Sequence, residues 1–263
     1  MEKELKTLLR KLAAEYETKD FINDDPVRFA HAYADKQDME IVGFISSWLA
    51  YGNRKVIVST IQALINEMNY LSGDSPFVFI VERRWEQMEH LRDATLYRFY
   101  KWGDFYDLCE RLYDIYQNFT TMEQAVCKQY DEIKNPDWVQ AVLNLFPGVK
   151  GVPKDTKSAC KRVCMFMRWM VRWGSEVDLG IWTYVPVSKL IVPLDTHVAR
   201  MARQLGLITV KGNNMRAAYQ LTQECRQAFP NDPAKADFAL FGYGITHKSN
   251  KDENIKEATK EIV

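Results

Sequence analysis

The sequence predicts an all-α protein, because its apolar residues recur at intervals of three and four and no convincing run alternates between apolar and polar positions. Its 263 residues can bury a substantial core, either as one large domain or as two helical lobes. Hydrophobic residues make up 47% of the chain and charged residues 27%, which is typical of globular proteins and argues against disorder.

The elements follow in order along the chain. An amphipathic first helix ends before the turn at Asp24, and a helix that is apolar on almost every side follows at Met39–Ala50. A tight break at Tyr51–Gly52–Asn53 separates it from the next helix, Arg54–Met68. Shorter helices are expected to start near Pro76, Trp85, Asp104, Met122 and Trp138. The segment Pro76–Val81 also admits a strand, since it is rich in Phe, Val and Ile.

Composition limits the classes of function. No apolar stretch is long enough to cross a bilayer and no apolar signal core follows Met1, so we expect a cytoplasmic protein without a membrane partner. The five scattered cysteines predict reduced thiols, and neither a metal nor another cofactor is expected. The 35 basic residues equal the 35 acidic ones, which argues against nucleic-acid binding.

Positive charge is nevertheless concentrated in one segment. Between Gly148 and Trp173 seven basic residues face the single acid Asp155. The segment opens with two glycines, Gly148 and Gly151, whose backbone could approach a phosphate closely, although a plain turn explains them equally well. From Lys157 onward the pattern predicts a helix with one apolar face and one cationic face. That face is either a polyanion-binding ridge or a solvated surface.

The stretch Pro193–Arg200 carries the second signal. Asp195 stands immediately before an apolar helical pattern that runs to Gly206, so it is a natural N-cap. Capping alone is a complete explanation of this residue.

The same stretch resembles the catalytic-aspartate signature of the helix-hairpin-helix (HhH-GPD) DNA glycosylase superfamily. The resemblance rests on Asp-Thr-His-Val-x-Arg at Asp195–Arg200 and on the Pro-Gly-Val hairpin before a lysine-bearing helix. An uncharacterised bacterial branch of that superfamily is the most similar, through Cys160–Arg172, Leu194–Val198 and Asp237–Gly242.

This resemblance implies a two-lobed fold with a helix-hairpin-helix element and the active site in the cleft between the lobes. The central lobe would span residues 26–145, and the second lobe residues 1–25 and 146–263. It further implies a monomeric base-excision-repair enzyme that acts on duplex DNA containing a damaged base, with an oxidised purine as first guess and AP-lyase activity as an option.

The resemblance also implies roles for individual residues. Asp195 would be the catalytic carboxylate and Lys161 the nucleophile, with Lys157 as the alternative; Asp195 could instead support attack by water. Asn53 and Arg54 would form the wedge behind the flipped nucleotide. The walls of the base pocket would come from Trp169, Trp173, Trp182 and Phe241. The other DNA contacts would be Gly148, Val149, Lys150, Gly151, Lys154, Lys157, Arg168, Arg172 and His197.

Two other functions stay open at this stage. The protein could bind DNA or RNA on the same scaffold without catalysis, or it could be a helical protein-interaction module. The balanced net charge favours these alternatives, whereas a lysine and an aspartate in catalytic register favour the enzyme.

Overall fold

The computed structural model describes residues 1–246, and its regular structure is almost entirely helical, which confirms the predicted fold class. The α-helices are α1 (Lys3–Tyr16), α2 (Lys19–Asp24), α3 (Lys36–Leu49), α4 (Arg54–Ser72), α5 (Pro76–Val81), α6 (Trp102–Asn118), α7 (Met122–Glu132), α8 (Trp138–Asn144), α9 (Lys161–Val171), α10 (Thr196–Gln204), α11 (Met215–Arg226) and α12 (Tyr243–Thr246). Short 3₁₀ helices cover Pro26–Ala32, Arg84–Leu91, Val187–Lys189 and Pro233–Lys235, and a π-helix covers Phe238–Gly242.

The chain divides into two compact units. One contains residues 22–155, and the other contains residues 1–21 together with the described residues from 156 on. The glycine-containing segment Phe146–Gly151 therefore belongs to the first of these units, together with α8. Helix α9 belongs to the other. The connection from α8 to α9 consists of turns and bends, and a helix-hairpin-helix element is not shown.

Helix α3 is the centre of the unit 22–155, and it is buried on nearly all sides, as its composition predicted. Two of its acids bind the N-termini of neighbouring helices, where backbone N–H groups lack helical partners. Asp38 accepts a hydrogen bond from the backbone of Phe77 at the start of α5. Glu40 is fully buried and accepts hydrogen bonds from the backbone of Met122 and Glu123 at the start of α7. Charge-assisted capping thus fixes α5 and α7 on α3.

Two details of this unit differ from expectation. The strand alternative for Pro76–Val81 is wrong, because the proline occupies the first helical turn and Ser75 caps it by accepting from the backbone of Val78. A β-hairpin was missed, with β1 (Thr95–Tyr97) paired antiparallel to β2 (Tyr100–Lys101). Strands of three and two residues are too short for alternation to reveal them.

In the unit of residues 1–21 and 156 onward, α1 packs against the π-helix. Gly242 makes this packing close, since a Cβ at that position would lie 2.3 Å from the Tyr16 ring. Helix α9 runs through the core, with every residue from Val163 to Val171 buried. It begins four residues later than predicted, at Lys161, because Lys157 and Ser158 lie in a turn and a bridge to Asn214. Among residues 1–246, no helix is long and apolar enough to span a membrane.

Candidate active site

The structure brings Lys161 and Asp195 together, although 33 residues stand between them in the sequence. The Nζ atom of Lys161 lies 3.8 Å from Oδ2 of Asp195. The lysine side chain is 33% exposed and the aspartate side chain 12%, so the pair lies at the edge of the core, within reach of solvent. Both residues belong to the unit of residues 1–21 and 156 onward.

Asp195 also holds the start of α10. Its Oδ1 atom accepts a hydrogen bond of 2.7 Å from the backbone N–H of Val198, so the predicted N-cap is confirmed. The two carboxylate oxygens therefore have different partners, with Oδ1 serving the helix and Oδ2 facing the amine. This division fixes the carboxylate and presents one oxygen for other contacts.

Lys161 is the first residue of α9, where the helix dipole disfavours positive charge. The residue before it, Cys160, has a left-handed backbone with φ of 46°, a conformation that is costly for a residue with a side chain. The chain therefore turns sharply into α9 at this point. The nearby carboxylate of Asp195 offsets the unfavourable position of the ammonium group.

The cationic ridge expected on α9 is wrong for Arg168 and Arg172. Both are 3% exposed and belong to a buried ionic network instead of a DNA-facing surface. Arg168 bonds Asp178 and Asp237, while Arg172 bonds Asp178, Asp232 and Glu17. Acidic partners were absent at helical spacing because they come from other elements, 6 to 155 residues away in the chain.

This network carries more negative than positive groups. Its carboxylates are Glu17, Asp178, Asp232 and Asp237, and its cations are Arg168, Arg172 and Lys235. Within residues 1–246 the network thus has one carboxylate more than it has cations, and ionising all four in a largely buried site is unfavourable. Burial raises the pKa of Asp237 to about 7; the Arg168 guanidinium opposes this rise and the charge of Asp195 adds to it. The charges of Asp195 and Lys161 thus act on the pKa of Asp237 in opposite directions, and the pKa of the buried Asp178 is raised by burial as well.

The predicted base pocket is wrong for two of its four residues. Trp169 and Trp182 are 0% and 1% exposed and belong to the core, where Trp182 packs edge-on against Phe166. Trp173 is exposed, and it follows the end of α9. Phe241 is partly exposed and lies 6.3 Å, ring to ring, from His197 in α10. Phe241 in the π-helix and His197 in α10 are thus neighbours.

The predicted DNA contacts of the glycine segment lie in the unit 22–155, apart from Lys157. Val149 is buried at 3% exposure, so its side chain is part of the core. The Lys150 ammonium group lies 2.8 Å from Asp104 and also donates to the backbone oxygen of Phe99. Gly148 and Gly151 have φ of 80° and 83°, which explains the choice of glycine at both positions. Lys154 and Lys157 are exposed.

The residues predicted as a wedge have structural roles of their own. Asn53 caps α4 by accepting from the backbone of Lys55 and Val56. Arg54 donates to the backbone oxygen of Asp24 and to the Asp25 carboxylate. These contacts are those of an interhelical turn, and they account for both residues without a wedge.

Sequence reasoning missed the four acidic partners of Arg168 and Arg172, namely Glu17, Asp178, Asp232 and Asp237. Of these, only Asp237 lies in a motif that the sequence analysis singled out, and that motif did not indicate an ion pair with α9. Within residues 1–246, no group of three or more His, Cys, Asp or Glu side chains is placed to hold a metal ion.

The family model described as "Protein of unknown function (DUF2400)" matches residues 25–246. The chain belongs to this family. The expectation of an uncharacterised family is therefore confirmed, while the match lends no support to membership of the glycosylase superfamily. The match spans both units and includes Lys161, Asp195 and Asp237. No curated protein matches the chain, and no solved structure matches it.

Proposed function

We propose that the protein is a DNA glycosylase that removes a damaged base, with Lys161 as nucleophile and Asp195 as its carboxylate partner. The single observation that supports this proposal most is the 3.8 Å separation of the Lys161 amine and the Asp195 carboxylate. Their partial exposure leaves room for a substrate to reach both groups. The resemblance of Asp195–Arg200 to the glycosylase signature supplies the class of reaction.

The chemistry follows from the two groups. The unprotonated Lys161 amine attacks C1′ of the deoxyribose, the bond from C1′ to the base breaks, and the base leaves with the bonding electrons and takes a proton. The first amine proton goes to the departing base; the C1′–O4′ bond then breaks as the nitrogen forms a double bond to C1′, and O4′ takes the second amine proton, which gives a Schiff base between Lys161 and C1′. The Asp195 carboxylate stabilises positive charge that develops on the sugar as the base departs.

The choice of Lys161 over Lys157 also has support. Lys161 is held at the start of a buried helix and is paired with Asp195, so its amine has a defined position. Lys157 is an exposed residue in a turn. Nucleophilic catalysis needs an amine placed within about 3–3.5 Å of the reacting carbon, which favours the residue with fewer alternative positions.

Borohydride trapping on a panel of duplexes, each carrying one damaged base, tests the proposal. Reduction of the Schiff base links enzyme and DNA covalently, so wild-type protein should give a trapped product with at least one duplex. The Lys161→Ala and Asp195→Asn variants should give none, and Lys157→Ala, the matched control on the same segment, should trap as wild type does. A product that depends on Lys157 overturns the assignment of Lys161. Base release without any trapped product identifies water as the nucleophile, and no release from any duplex overturns the glycosylase proposal.

A further inference from the structure

Aromatic side chains cluster at the turn of the β-hairpin of the unit 22–155, three from the hairpin itself and one from the break between α3 and α4. We call this cluster the aromatic platform: Tyr97, Phe99 and Tyr100 with Tyr51. Phe99 lies at the tip of the turn and is 62% exposed, and its ring stacks on Tyr51 with the ring centres 4.9 Å apart. Tyr51 in turn meets Tyr97 and Tyr100 edge-on. The platform therefore presents one flat, solvent-facing ring above a supporting layer of rings.

The turn itself breaks a local rule. A two-residue hairpin turn favours glycine or asparagine, because its central residues need positive φ. Here the turn is Arg98–Phe99, and Arg98 has φ of 54°. Such a conformation costs a residue with a side chain about 1–2 kcal/mol. Departures of this kind concentrate at functional sites, and here the effect is to place a guanidinium and a phenyl ring side by side on the surface.

The platform is held rigidly from below. Trp48 packs on Tyr100 at 4.3 Å, and its Nε1 donates to the backbone oxygen of Lys150. Gly151 approaches Tyr100 so closely that a Cβ there would lie 1.7 Å from the hydroxyl. The Tyr97 hydroxyl donates to the backbone oxygen of Tyr51. Because these contacts already fix the rings, a ligand that stacks on Phe99 orders little of the protein when it binds.

Cations border the same rings. The Arg98 guanidinium lies 5.4 Å from the centre of the Tyr51 ring, and the Lys150 ammonium lies 5.9 Å from that of Tyr100. Lys101 follows directly, in an exposed ion pair with Asp93, and such pairs are weak enough for another anion to replace the partner. Rings for stacking, beside cations for phosphate, are the two parts of a site for single-stranded nucleic acid.

We propose that the aromatic platform binds unpaired nucleobases of DNA, with a base stacked on Phe99 and the neighbouring phosphates near Arg98 and Lys101. A protein partner fits less well, because the centre of a specific protein interface is depleted of lysine, whereas Lys150 and Lys101 border these rings. The platform belongs to a different unit from Lys161 and Asp195. It rests on the proposed function for its partner, DNA, but it takes no part in the reaction of Lys161 with the sugar.

Binding of a single-stranded oligodeoxynucleotide that contains 2-aminopurine tests the proposal, because the fluorescence of this base falls when it stacks. Wild-type protein should bind the oligonucleotide and lower its fluorescence. Phe99→Ala should weaken binding about 5- to 150-fold, the range for loss of one stacked base, and should abolish the fluorescence change. Phe99→Trp should bind as wild type does, whereas Phe99→Leu, which is apolar but not flat, should behave like Phe99→Ala. Tyr70→Ala is the matched control, since Tyr70 is an 84% exposed ring in α4 of the same unit, and it should change nothing.

Salt dependence separates stacking from phosphate contact. Phe99→Ala should leave the slope of log affinity against log salt unchanged, while Lys101→Ala should reduce its magnitude by about 0.7, the value for one phosphate contact to a single strand. The Phe99 ring is 62% exposed, so its variants should remain folded, with a thermal midpoint lowered only by the lost contact with Tyr51. Wild-type affinity in Phe99→Ala, wild-type affinity in Phe99→Leu, or no fluorescence change with wild-type protein each overturns the proposal.

The two proposals fail separately. Lys161→Ala should abolish borohydride trapping, and in that variant the fluorescence change should still depend on Phe99. Fluorescence quenching without any trapped product or base release overturns the glycosylase proposal alone, and trapping without a role for Phe99 overturns the stacking site alone.

Discussion

The buried carboxyl of Asp237 should make the protein less stable as pH rises to neutrality. Its pKa is raised from 3.8 to about 7 in the folded protein, so between these values the folded state holds a proton that the unfolded state has lost. The stabilisation is complete below the unfolded pKa and disappears as pH rises through the folded pKa. At about 1.4 kcal/mol for each tenfold change in proton affinity, the whole effect is about 4 kcal/mol.

The Asp237→Asn variant isolates this contribution. Asparagine resembles the neutral carboxyl in shape and stays uncharged at every pH, so its folded state does not lose stability in this way. The free energy of unfolding should be measured in urea for wild type and variant at about pH 5 and about pH 8. The value for the variant minus that for wild type should rise by about 3 kcal/mol from the lower pH to the higher.

The control for this experiment is Asp93→Asn, which removes a carboxylate that is 99% exposed and should leave the difference from wild type the same at both pH values. Two results would show that Arg168 keeps Asp237 ionised throughout. The difference in the free energy of unfolding between Asp237→Asn and wild type could be the same at both pH values, or the variant could be less stable relative to wild type at about pH 8 than at about pH 5. Either result refutes the reasoning from excess negative charge.

Three further predictions concern single positions. Gly151→Ala should lower the free energy of unfolding by about 1–3 kcal/mol more than Gly148→Ala does, and its thermal midpoint should be lower accordingly. Both glycines have positive φ, but a Cβ at Gly151 would meet a tyrosine hydroxyl, whereas a Cβ at Gly148 meets nothing within 4 Å. Equal losses would contradict this packing. Asp195→Ala should cost about 1 kcal/mol in urea unfolding through loss of the α10 cap, and Asp195→Asn, which can still cap, less than about 0.5 kcal/mol; equal costs would exclude the cap as the cause. Lys161→Gln should change the free energy of unfolding by less than about 1 kcal/mol, because the Lys161–Asp195 pair is partly exposed. Arg168→Gln should cost about 3–5 kcal/mol, because the Arg168–Asp237 pair is buried. Similar costs would contradict the burial of Arg168.

The fold class was predictable because helical periodicity is a local property of the sequence. The buried α3 and its break before α4 came directly from the run of apolar residues and from the Tyr51–Gly52–Asn53 break that ends it. The β-hairpin was not predictable, because Arg98–Phe99 is an unusual turn and its strands are very short. What holds the hairpin in place is long-range packing on Tyr51 and Trp48, which no local pattern records.

The candidate site was partly predictable for a similar reason. The motif around Asp195 identified a carboxylate, and the lysine-bearing helix identified Lys161, but their distance is a property of the fold. The arginines of α9 show the opposite failure. A helical stripe of Arg168 and Arg172 reads as a cationic surface when partners are sought at neighbouring helical positions, and the partner Asp237 lies 69 residues from Arg168.

The division of the chain has a consequence for its biosynthesis. Helix α1 packs against the π-helix at Phe238–Gly242. Its buried face, which includes Leu8 and Leu9, therefore cannot pack on the π-helix until more than 200 further residues have been translated. At ribosomal speeds of about 5–20 residues per second this interval lasts roughly ten to forty seconds. Residues 22–155 emerge in the meantime as a complete unit. During synthesis, the buried face of α1 therefore waits longer for its packing partner than the helices of residues 22–155 wait for theirs.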